Sequence, residues 1–218
     1  MYTTKDLLDL DHTLAKSYLE AYEYPWLALN GIKNAIIEIG KNLPAEYKEV
    51  KENVWIHETA NIYETAYING PCIIGKNTEV RHSAFIRGSA LIGDNCVIGN
   101  SVELKNCIIF DNSEVPHFNY VGDSILGFHS HMGAGSITSN VRSDKKLVVV
   151  HDGTEKIETG IRKFGAILGN NVEVGCNAVL NPGTIVGCNS NIYPTSCVRC
   201  VVPNNSVYKN NGEITKKK

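Results

Sequence analysis

A repeat of six residues runs through most of the chain. Every sixth residue from Ile56 to Leu104 is a branched aliphatic. The pattern shifts after Leu104, returns at Leu126, and continues after a second gap from Leu168 to Val198. A small side chain stands two residues before most of these positions, and glycine often follows them. This period fits neither a helix nor a flat strand.

A six-residue period is typical of a parallel β-helix. Three such units form one coil of a triangular prism, in which the aliphatic side chains stack inside and small residues and glycines occupy the corners. The number of repeats predicts about seven coils. The pattern does not fix the handedness, because crossovers between parallel strands are usually right-handed.

Two helices are predicted before the repeat. Leucines and a tyrosine at helical spacing indicate one over residues 4–23, and isoleucines along one stripe after Pro25 indicate another over residues 25–42. The segment "NLPAEYKEVKEN" is typical of a polar linker, and we expect the prism to begin near Val54.

A second interruption of the repeat falls between residues 140 and 165. Its "KLVVVHDGTEKIETG" pairs two strand-like runs around "DG", which predicts a protruding hairpin. The sequence therefore predicts a mainly β chain with helices and linker in residues 1–50, a β-helix in 51–207 with this insert, and a disordered basic tail in 208–218.

Composition excludes several classes of partner. The chain of 218 residues has a formal net charge of -2, which gives no electrostatic reason for binding nucleic acid or an anionic membrane. Neither a signal peptide nor a long apolar run is present in the sequence, so we expect a cytoplasmic protein. The seven scattered cysteines fit free thiols, and Cys197 and Cys200 lack the two further ligands that a zinc site needs.

His117 is the most informative polar residue. Taken alone, a histidine beside a proline is usually a surface or structural residue. Histidine nevertheless titrates near neutral pH, so it suits a reaction in which an amine loses a proton while it attacks a thioester.

The ordered motifs "FIRG", "VELK", "HFNYVGDS" and "MGAGSITSN" resemble the acetyltransferase half of the bacterial bifunctional glucosamine-1-phosphate acetyltransferase and N-acetylglucosamine-1-phosphate uridyltransferase. "IETGIRKFGAILGNNVEVGCNAVLNPG" is similar to archaeal sugar-phosphate nucleotidylyltransferases that end in such a domain. The resemblance covers about residues 50–205. It implies a left-handed β-helix and a homotrimer with active sites between adjacent prisms. Nothing before residue 50 resembles the nucleotidylyltransferase domain, so we expect the acyltransferase activity alone.

The resemblance also implies roles for individual residues. His117 would be the general base, Glu103 would orient its ring, and the backbone N–H of Ala134 would stabilise the oxyanion. The residues expected at the sugar or its phosphate are Arg87, Lys105, Tyr120, His131, Asn140 and Lys146. The residues expected near coenzyme A are Ala134, Cys176 and Lys209.

Two positions depart from the family pattern. His131 stands where the bacterial enzymes have an asparagine that contacts the sugar. Pro194 stands where the family offers a backbone N–H to coenzyme A, and proline has none. The acceptor sugar and the coenzyme A contacts of the last coils therefore stay open.

Two other functions remain alternatives. Carbonic anhydrases of the zinc-dependent γ type share the prism and bind metal through three histidines, for which His117, His129 and His131 are candidates, although the spacing of the anhydrase pair is absent. A non-catalytic β-helix scaffold that assists a separate nucleotidylyltransferase is the other. The sequence favours an acetyl-CoA-dependent N-acetyltransferase, without a metal, that acts on an amino sugar or its 1-phosphate.

Overall fold

The computed structural model describes residues 1–153 and 155–217. The helices in these ranges are short. They are α1 (Thr4–Leu7), α2 (Lys16–Leu19) and α3 (Ile32–Gly40), with 3-10 helices at Leu10–His12 and Pro25–Gly31. The strands are β1 (Tyr47–Lys51), β2 (Val54–His57), β3 (Asn61–Ile62), β4 (Tyr67–Ile68), β5 (Cys72–Ile74), β6 (Glu79–Val80), β7 (Phe85–Ile86), β8 (Ala90–Ile92), β9 (Val97–Asn100), β10 (Glu103–Ile109), β11 (Glu114–His117), β12 (Tyr120–Leu126), β13 (His131–Met132), β14 (Ile137–Thr138), β15 (Val149–Asp152), β16 (Glu155–Glu158), β17 (Ala166–Leu168), β18 (Glu173–Val174), β19 (Val179–Leu180), β20 (Thr184–Val186), β21 (Asn191–Ile192), β22 (Cys197–Val198), β23 (Val201–Val202), β24 (Ser206–Tyr208) and β25 (Ile214–Lys216).

These strands form the three faces of a prism, and each coil contributes one strand to each face. The first face contains β3, β6, β9, β11, β13, β18, β21 and β24. The second contains β4, β7, the start of β10, the start of β12, β14, β19 and β22. The third contains β2, β5, β8, the ends of β10 and β12, β17, β20 and β23. The predicted fold class, a mainly β parallel β-helix with hexapeptide repeats, is confirmed.

The predicted inward column is the core of the prism. Every repeat position from Val80 to Leu104 is fully buried, and so are Leu168 and Val198. Ile56 and Ile62 in the first coil are only partly buried, because no earlier coil covers them. Parallel pairing stacks equivalent positions, such as Ile74 on Ile92, so each coil buries its aliphatics against its neighbours.

The shift in the repeat has a local cause. Inward residues Leu104 and Ile109 are five residues apart, and so are Val121 and Leu126 in the next coil. In both coils one long strand, β10 or β12, passes from the second face to the third, and Asn106 (φ 49°) and Asp123 (φ 49°) make the bend. Asparagine and aspartate tolerate this left-handed conformation better than most residues. The bend removes one residue from each coil.

The third face is apolar on the outside as well as the inside. Its outward side chains include Ile73, Leu91 and Ile108, each fully or almost fully buried. They pack into a second core with side chains of the N-terminal segment (residues 1–43), among them Leu7 and Trp26. Backbone hydrogen bonds fix the segment in place, since the N–H of Asn170 donates to the Leu7 carbonyl at 3.0 Å. The N-terminal segment is therefore part of the folded unit.

The first predicted helix is wrong in extent. Helix α1 ends where Leu8 turns extended (φ -121°, ψ 121°), and the Asp9 side chain caps a separate 3-10 turn. Leu7, Leu8 and Leu10 are buried, whereas Leu14 is 39% exposed, so the leucines do not form one helical stripe. The second predicted helix is divided into a 3-10 turn and α3 at Gly31, whose absent Cβ would lie 2.5 Å from the Tyr18 hydroxyl.

The predicted linker and tail are ordered in the structure. Within the linker, β1 pairs antiparallel with β2, so the first strand of the sheet begins at Tyr47 and precedes the prism. Within the tail, β25 pairs antiparallel with β24 and closes the last coil. Both segments cover an end of the prism and give its exposed strands a partner.

The predicted hairpin is confirmed in the insert. Strands β15 and β16 pair antiparallel from Val149 opposite Glu158 to Asp152 opposite Glu155. Thr154 lies outside the described residues. The base of the insert is anchored in the second core by Val148, Val150, Ile161 and Phe164. In the described part of the chain, no helix is both long and apolar enough to cross a membrane.

Replacement of Trp26 by alanine tests the role of the N-terminal segment. Trp26 is 1% exposed and stacks on Tyr24 and Phe164, with ring centroids 4.6 and 6.1 Å away. We expect Trp26→Ala to lower the free energy of unfolding by about 3–5 kcal/mol in urea denaturation. The control Leu27→Ala removes a 43% exposed neighbour and should change it by less than about 1 kcal/mol. An effect of Trp26→Ala as small as that expected for Leu27→Ala would show that the segment does not stabilise the prism.

Candidate active site

His117 stands at the edge between the first and second faces, which we call the site edge. It ends β11, and Phe118 (φ 52°) turns the chain onto the second face. The backbone of His117 is fixed, because its N–H donates to the Asn119 side chain at 2.9 Å and its carbonyl accepts from the Gly135 N–H at 3.0 Å. Its side chain is exposed. The fold therefore holds the backbone rigidly and leaves the imidazole free for a ligand.

Ala134 and Cys176 follow His117 along the site edge in successive coils. The Ala134 carbonyl accepts from the Asn177 N–H at 2.8 Å. Gly133 lets these coils approach, since a Cβ there would lie 2.7 Å from the backbone nitrogen of Cys176. The Ala134 N–H has no hydrogen-bond partner among the described residues. Cys176 is exposed, so the edge offers a free donor and an accessible thiol side by side.

Lys209 lies at the same edge in the last coil, directly after β24. Its amine pairs with a carboxylate oxygen of Glu213 at 3.0 Å. The pair is largely exposed, so it stabilises the pairing of β24 with β25 only slightly. An anion at this end of the site edge would compete with Glu213 for the lysine.

A polar network covers the second face beside the site edge. Arg87 Nη1 lies 2.7 Å from Glu103 Oε1. Glu103 is directly opposite Tyr120 in the ladder of β10 and β12. The Asn140 amide donates to the Tyr120 hydroxyl at 3.2 Å, and Lys105 Nζ lies 3.3 Å from Asp123 Oδ2. Five of the predicted residues, namely Arg87, Glu103, Lys105, Tyr120 and Asn140, thus lie on one face.

Asp123 is the residue that sequence reasoning missed. Its carboxylate is 5% exposed and accepts hydrogen bonds from Lys105, from Asn106 at 2.9 Å and from Asn140. A buried carboxylate is stable only with such partners. Burial, with the charges of Asp123 and Glu103, raises the pKa of the Tyr120 phenol, so this hydroxyl stays protonated at neutral pH. The only signal in the sequence is the charged aspartate of "YVGDS" within a strand that has no other charged residue.

The N-terminal segment supports this network directly. The Asn106 amide that donates to Asp123 also donates to the Leu29 carbonyl at 3.0 Å. Leu29 belongs to the 3-10 helix over the third face. The bend of β10 is therefore held from both sides.

Three of the predicted residues have other partners within the single chain. Glu103 bonds to Arg87, and no hydrogen bond joins it to His117 among the described residues. His131 points out from the first face and bonds through Nδ1 to Glu173 at 2.9 Å. Lys146 lies exposed on the insert, where its backbone N–H donates to Asp144 at 3.1 Å. Their roles toward a substrate stay predictions.

The three candidate zinc ligands are spread over the prism. His117 is on the site edge, His131 is on the first face opposite Glu114, and His129 (φ 56°) is at the turn before β13. Among residues 1–153 and 155–217, no group of three or more histidine, cysteine, aspartate or glutamate side chains is placed to hold a metal ion.

Comparison with known proteins gives the family. A family model described as "GMPPB C-terminal domain" matches residues 68–187, which is more than half of the chain and includes the site edge and the network. The chain belongs to this family. The GMPPB C-terminal domain match ends before Lys209 and begins after the N-terminal segment.

Curated relatives have names that agree with the predicted resemblance. A "Bifunctional protein GlmU" of Methanococcus aeolicus is 48% identical over 83 residues, which cover 38% of this chain and 20% of the relative. A "Bifunctional sugar-1-phosphate nucleotidylyltransferase/acetyltransferase" of Sulfurisphaera tokodaii is 41% identical over 83 residues, 38% of this chain and 21% of the relative. The matched part of this chain thus spans about a fifth of the length of these relatives. The predicted resemblance is confirmed.

Among solved structures, the acetyltransferase domain of PglB from Neisseria gonorrhoeae is similar over 84% of this chain and 64% of that chain. Its sequence identity is 17% and its TM-score 0.39.

Proposed function

We propose that the chain is an acyl-CoA-dependent N-acetyltransferase whose acceptor is an amino sugar or an amino-sugar 1-phosphate similar to glucosamine 1-phosphate. The observation that carries the proposal is the arrangement of the family's ordered residues. His117, Ala134 and Cys176 follow one another along the site edge, and the polar network lies on the adjoining second face. A thioester and a polar acceptor can therefore meet at one edge.

The proposed reaction needs three contributions from the chain. The network positions the sugar so that its unprotonated amine faces the thioester carbonyl. The exposed imidazole of His117 accepts the proton that the amine loses as its C–N bond forms. The Ala134 N–H donates to the oxyanion of the tetrahedral intermediate. Cleavage of the C–S bond releases the coenzyme A thiolate, which takes the proton from His117.

The phosphate of the acceptor would change the pairing in the network. Arg87 and Lys105 are both paired with carboxylates in the free protein. A phosphate dianion is a stronger partner for Arg87 than one partly exposed carboxylate, so its arrival would release Glu103. We propose that the released Glu103 then orients His117. Lys146, which makes no ion pair within the described residues, would complete the phosphate site from the insert.

Acetyl-CoA is the proposed co-substrate. Its pantetheine arm would run along the site edge past Cys176, and Lys209 would meet its phosphates after leaving Glu213. His131, beside the same edge on the first face, would contact the acceptor. The chemistry of this proposal requires no metal, and we place the protein in the cytoplasm on the sequence grounds above.

We propose that the working form is a homotrimer. Tyr67 and Phe85 lie next to each other on the second face, with ring centroids 5.9 Å apart and exposures of 61% and 38%. Such an aromatic pair beside a polar network suits a contact between prisms. A neighbouring prism would also enclose the site edge. A separate nucleotidylyltransferase is a further candidate partner, since the matched relatives are named as bifunctional.

Light scattering tests the assembly. We expect a mass three times that of the chain at micromolar concentration, because the shared site needs neighbouring prisms. The variant Tyr67→Asp should shift the equilibrium toward monomer, whereas Leu27→Asp, at a 43% exposed position of the N-terminal segment, should not. A monomeric parent protein would contradict both the trimer and the shared site.

A thiol-release assay tests the activity. Acetyl-CoA is supplied with glucosamine, galactosamine and their 1-phosphates, and free thiol is measured. We expect His117→Ala to lower kcat by about 10²–10⁴ on the best acceptor, the usual contribution of positioned proton transfer. The fold should persist, because the side chain is exposed.

His57→Ala is the matched control. It also removes a histidine, but His57 ends β2 on the third face in the first coil, away from His117. It should retain normal turnover. Higher pH should partly restore the turnover of His117→Ala, because a substrate amine that is already unprotonated depends less on a general base. Normal turnover of His117→Ala on an acceptor that the parent acetylates would contradict the general base.

The role of the phosphate has a separate test. If Lys105 meets the phosphate, Lys105→Ala should lower kcat/KM for the 1-phosphate at least about tenfold more than for the free amino sugar. Lys76→Ala, an exposed lysine elsewhere on the prism, should change neither value. Equal losses on both acceptors would refute a contact between Lys105 and the phosphate, because the free amino sugar has no phosphate to contact.

A further inference from the structure

A cavity of about 580 Å³ lies between the insert and the edge that joins the second and third faces. We call it the insert cavity. Its wall includes Arg142, Val149 and His151 from the insert, and Asn181, Pro182 and Arg199 from the prism. Ligand pockets in proteins commonly have volumes of about 300–1,000 Å³. The site edge, where the thioester is proposed to bind, is the opposite border of the second face.

The charges in the insert cavity favour an anion. Its one carboxylate belongs to Asp144, which is held by Arg142 through two contacts, Nε to Oδ1 at 2.9 Å and Nη2 to Oδ2 at 2.7 Å. This pairing lowers the pKa of Asp144. Arg199 is exposed and makes no ion pair with any described residue. Because Arg142 offsets the charge of Asp144, Arg199 leaves the cavity with an excess positive charge, and the His151 ring adds a polar group beside it.

The rest of the wall suits a flat, partly apolar group. Val149 and Pro182 supply apolar surface. The Asn181 amide nitrogen donates to the Val198 carbonyl at 2.9 Å, which fixes the side chain. Its side-chain oxygen has no donor among the described residues and is free to accept from a base. This wall suits a phosphorylated nucleoside, because Arg199 and His151 can contact the phosphates while the apolar surface and the Asn181 amide contact the base.

The insert cavity is built into the fold. Val148, the residue before β15, is fully buried in the second core. Gly183 (φ 85°) lets the insert approach the prism, since a Cβ there would lie 2.8 Å from a Val148 methyl group and 3.1 Å from the Val149 carbonyl oxygen. Both walls are thus fixed against each other without a ligand. Ser139 in the wall directly precedes Asn140, so the cavity adjoins the network on the second face.

We propose that the insert cavity binds a nucleoside diphosphate group, with the phosphates at Arg199 and His151 and the nucleoside against Val149 and Pro182. A nucleotide-linked sugar carries this group. Coenzyme A carries one as well, but its proposed place is the site edge, so it serves as the contrasting probe. Binding here does not depend on acyl transfer. It can therefore be tested apart from the proposed function.

Calorimetry on the intact chain tests the proposal with uridine diphosphate, guanosine diphosphate, coenzyme A, pyrophosphate and uridine as probes. We expect at least one of the two nucleoside diphosphates to bind more tightly than pyrophosphate, and uridine alone to bind least. Arg199→Ala should weaken that binding at least about tenfold, because it removes one charge-assisted contact. Arg162→Ala is the matched control, an exposed arginine of the same insert outside the cavity wall, and should leave it unchanged.

The pattern across probes identifies the source of the group. Arg199→Ala should weaken the binding of a free nucleoside diphosphate and leave the binding of coenzyme A at the site edge unchanged, which indicates a nucleotide-linked sugar. Failure of both nucleoside diphosphates to bind, affinity no better than that of pyrophosphate, weakening with coenzyme A alone, or equal effects of Arg199→Ala and Arg162→Ala would overturn the proposal. Because Arg199 is exposed and makes no ion pair, loss of folding would not explain its effect; a circular dichroism spectrum checks this.

Discussion

The stacking of aliphatic side chains inside a narrow prism is the constraint on which the rest of the structure depends. A single coil cannot bury its own aliphatics, so its inward residues are covered only when equivalent residues lie above and below them. Leu104 lies on Val121, and Leu126 on Leu168, in this way. Because the stack fixes how far each coil can turn, it also fixes the edges. His117, Ala134 and Cys176 are far apart in the chain and become neighbours only through this stacking.

The burial of the outward side of the third face determines which surfaces remain open to ligands. The outward side of the third face is as apolar as the core, and the N-terminal segment and the base of the insert cover it. This leaves the first face, the second face and the edge between them open. The same cover reaches the network, since Leu29 accepts from Asn106, which in turn holds Asp123. Fold stability and the geometry of the candidate site are therefore coupled at the bend of β10.

The inward column could be predicted from the sequence because the six-residue period acts at every coil. The cover of the third face could also have been predicted, since apolar Ile73 and Leu91 directly precede inward Ile74 and Ile92. The short helices could not, because the burial of Leu7 and Leu19 depends on a surface formed far away in the chain. The helical spacing of the leucines in this segment therefore does not indicate one continuous helix.

The candidate site was predictable in its residue types and not in its pairings. The motif "HFNY" placed His117 on an edge, but whether Glu103 bonds to His117 or to Arg87 depends on side-chain geometry that no repeat encodes. The burial of Asp123 follows from a bend that removes one residue from the repeat. The insert cavity arises between segments that the sequence separates, so neither segment alone indicates it.

The central claim is that acyl transfer takes place on the site edge beside the second face. A crystal structure of the protein with coenzyme A and glucosamine 1-phosphate tests it most directly. We expect the coenzyme A sulfur within van der Waals contact of Ala134, the sugar amine within hydrogen-bond reach of the His117 ring, and the phosphate at Arg87 and Lys105. Coenzyme A bound with its sulfur on the first face or over the third face, away from His117, would contradict it.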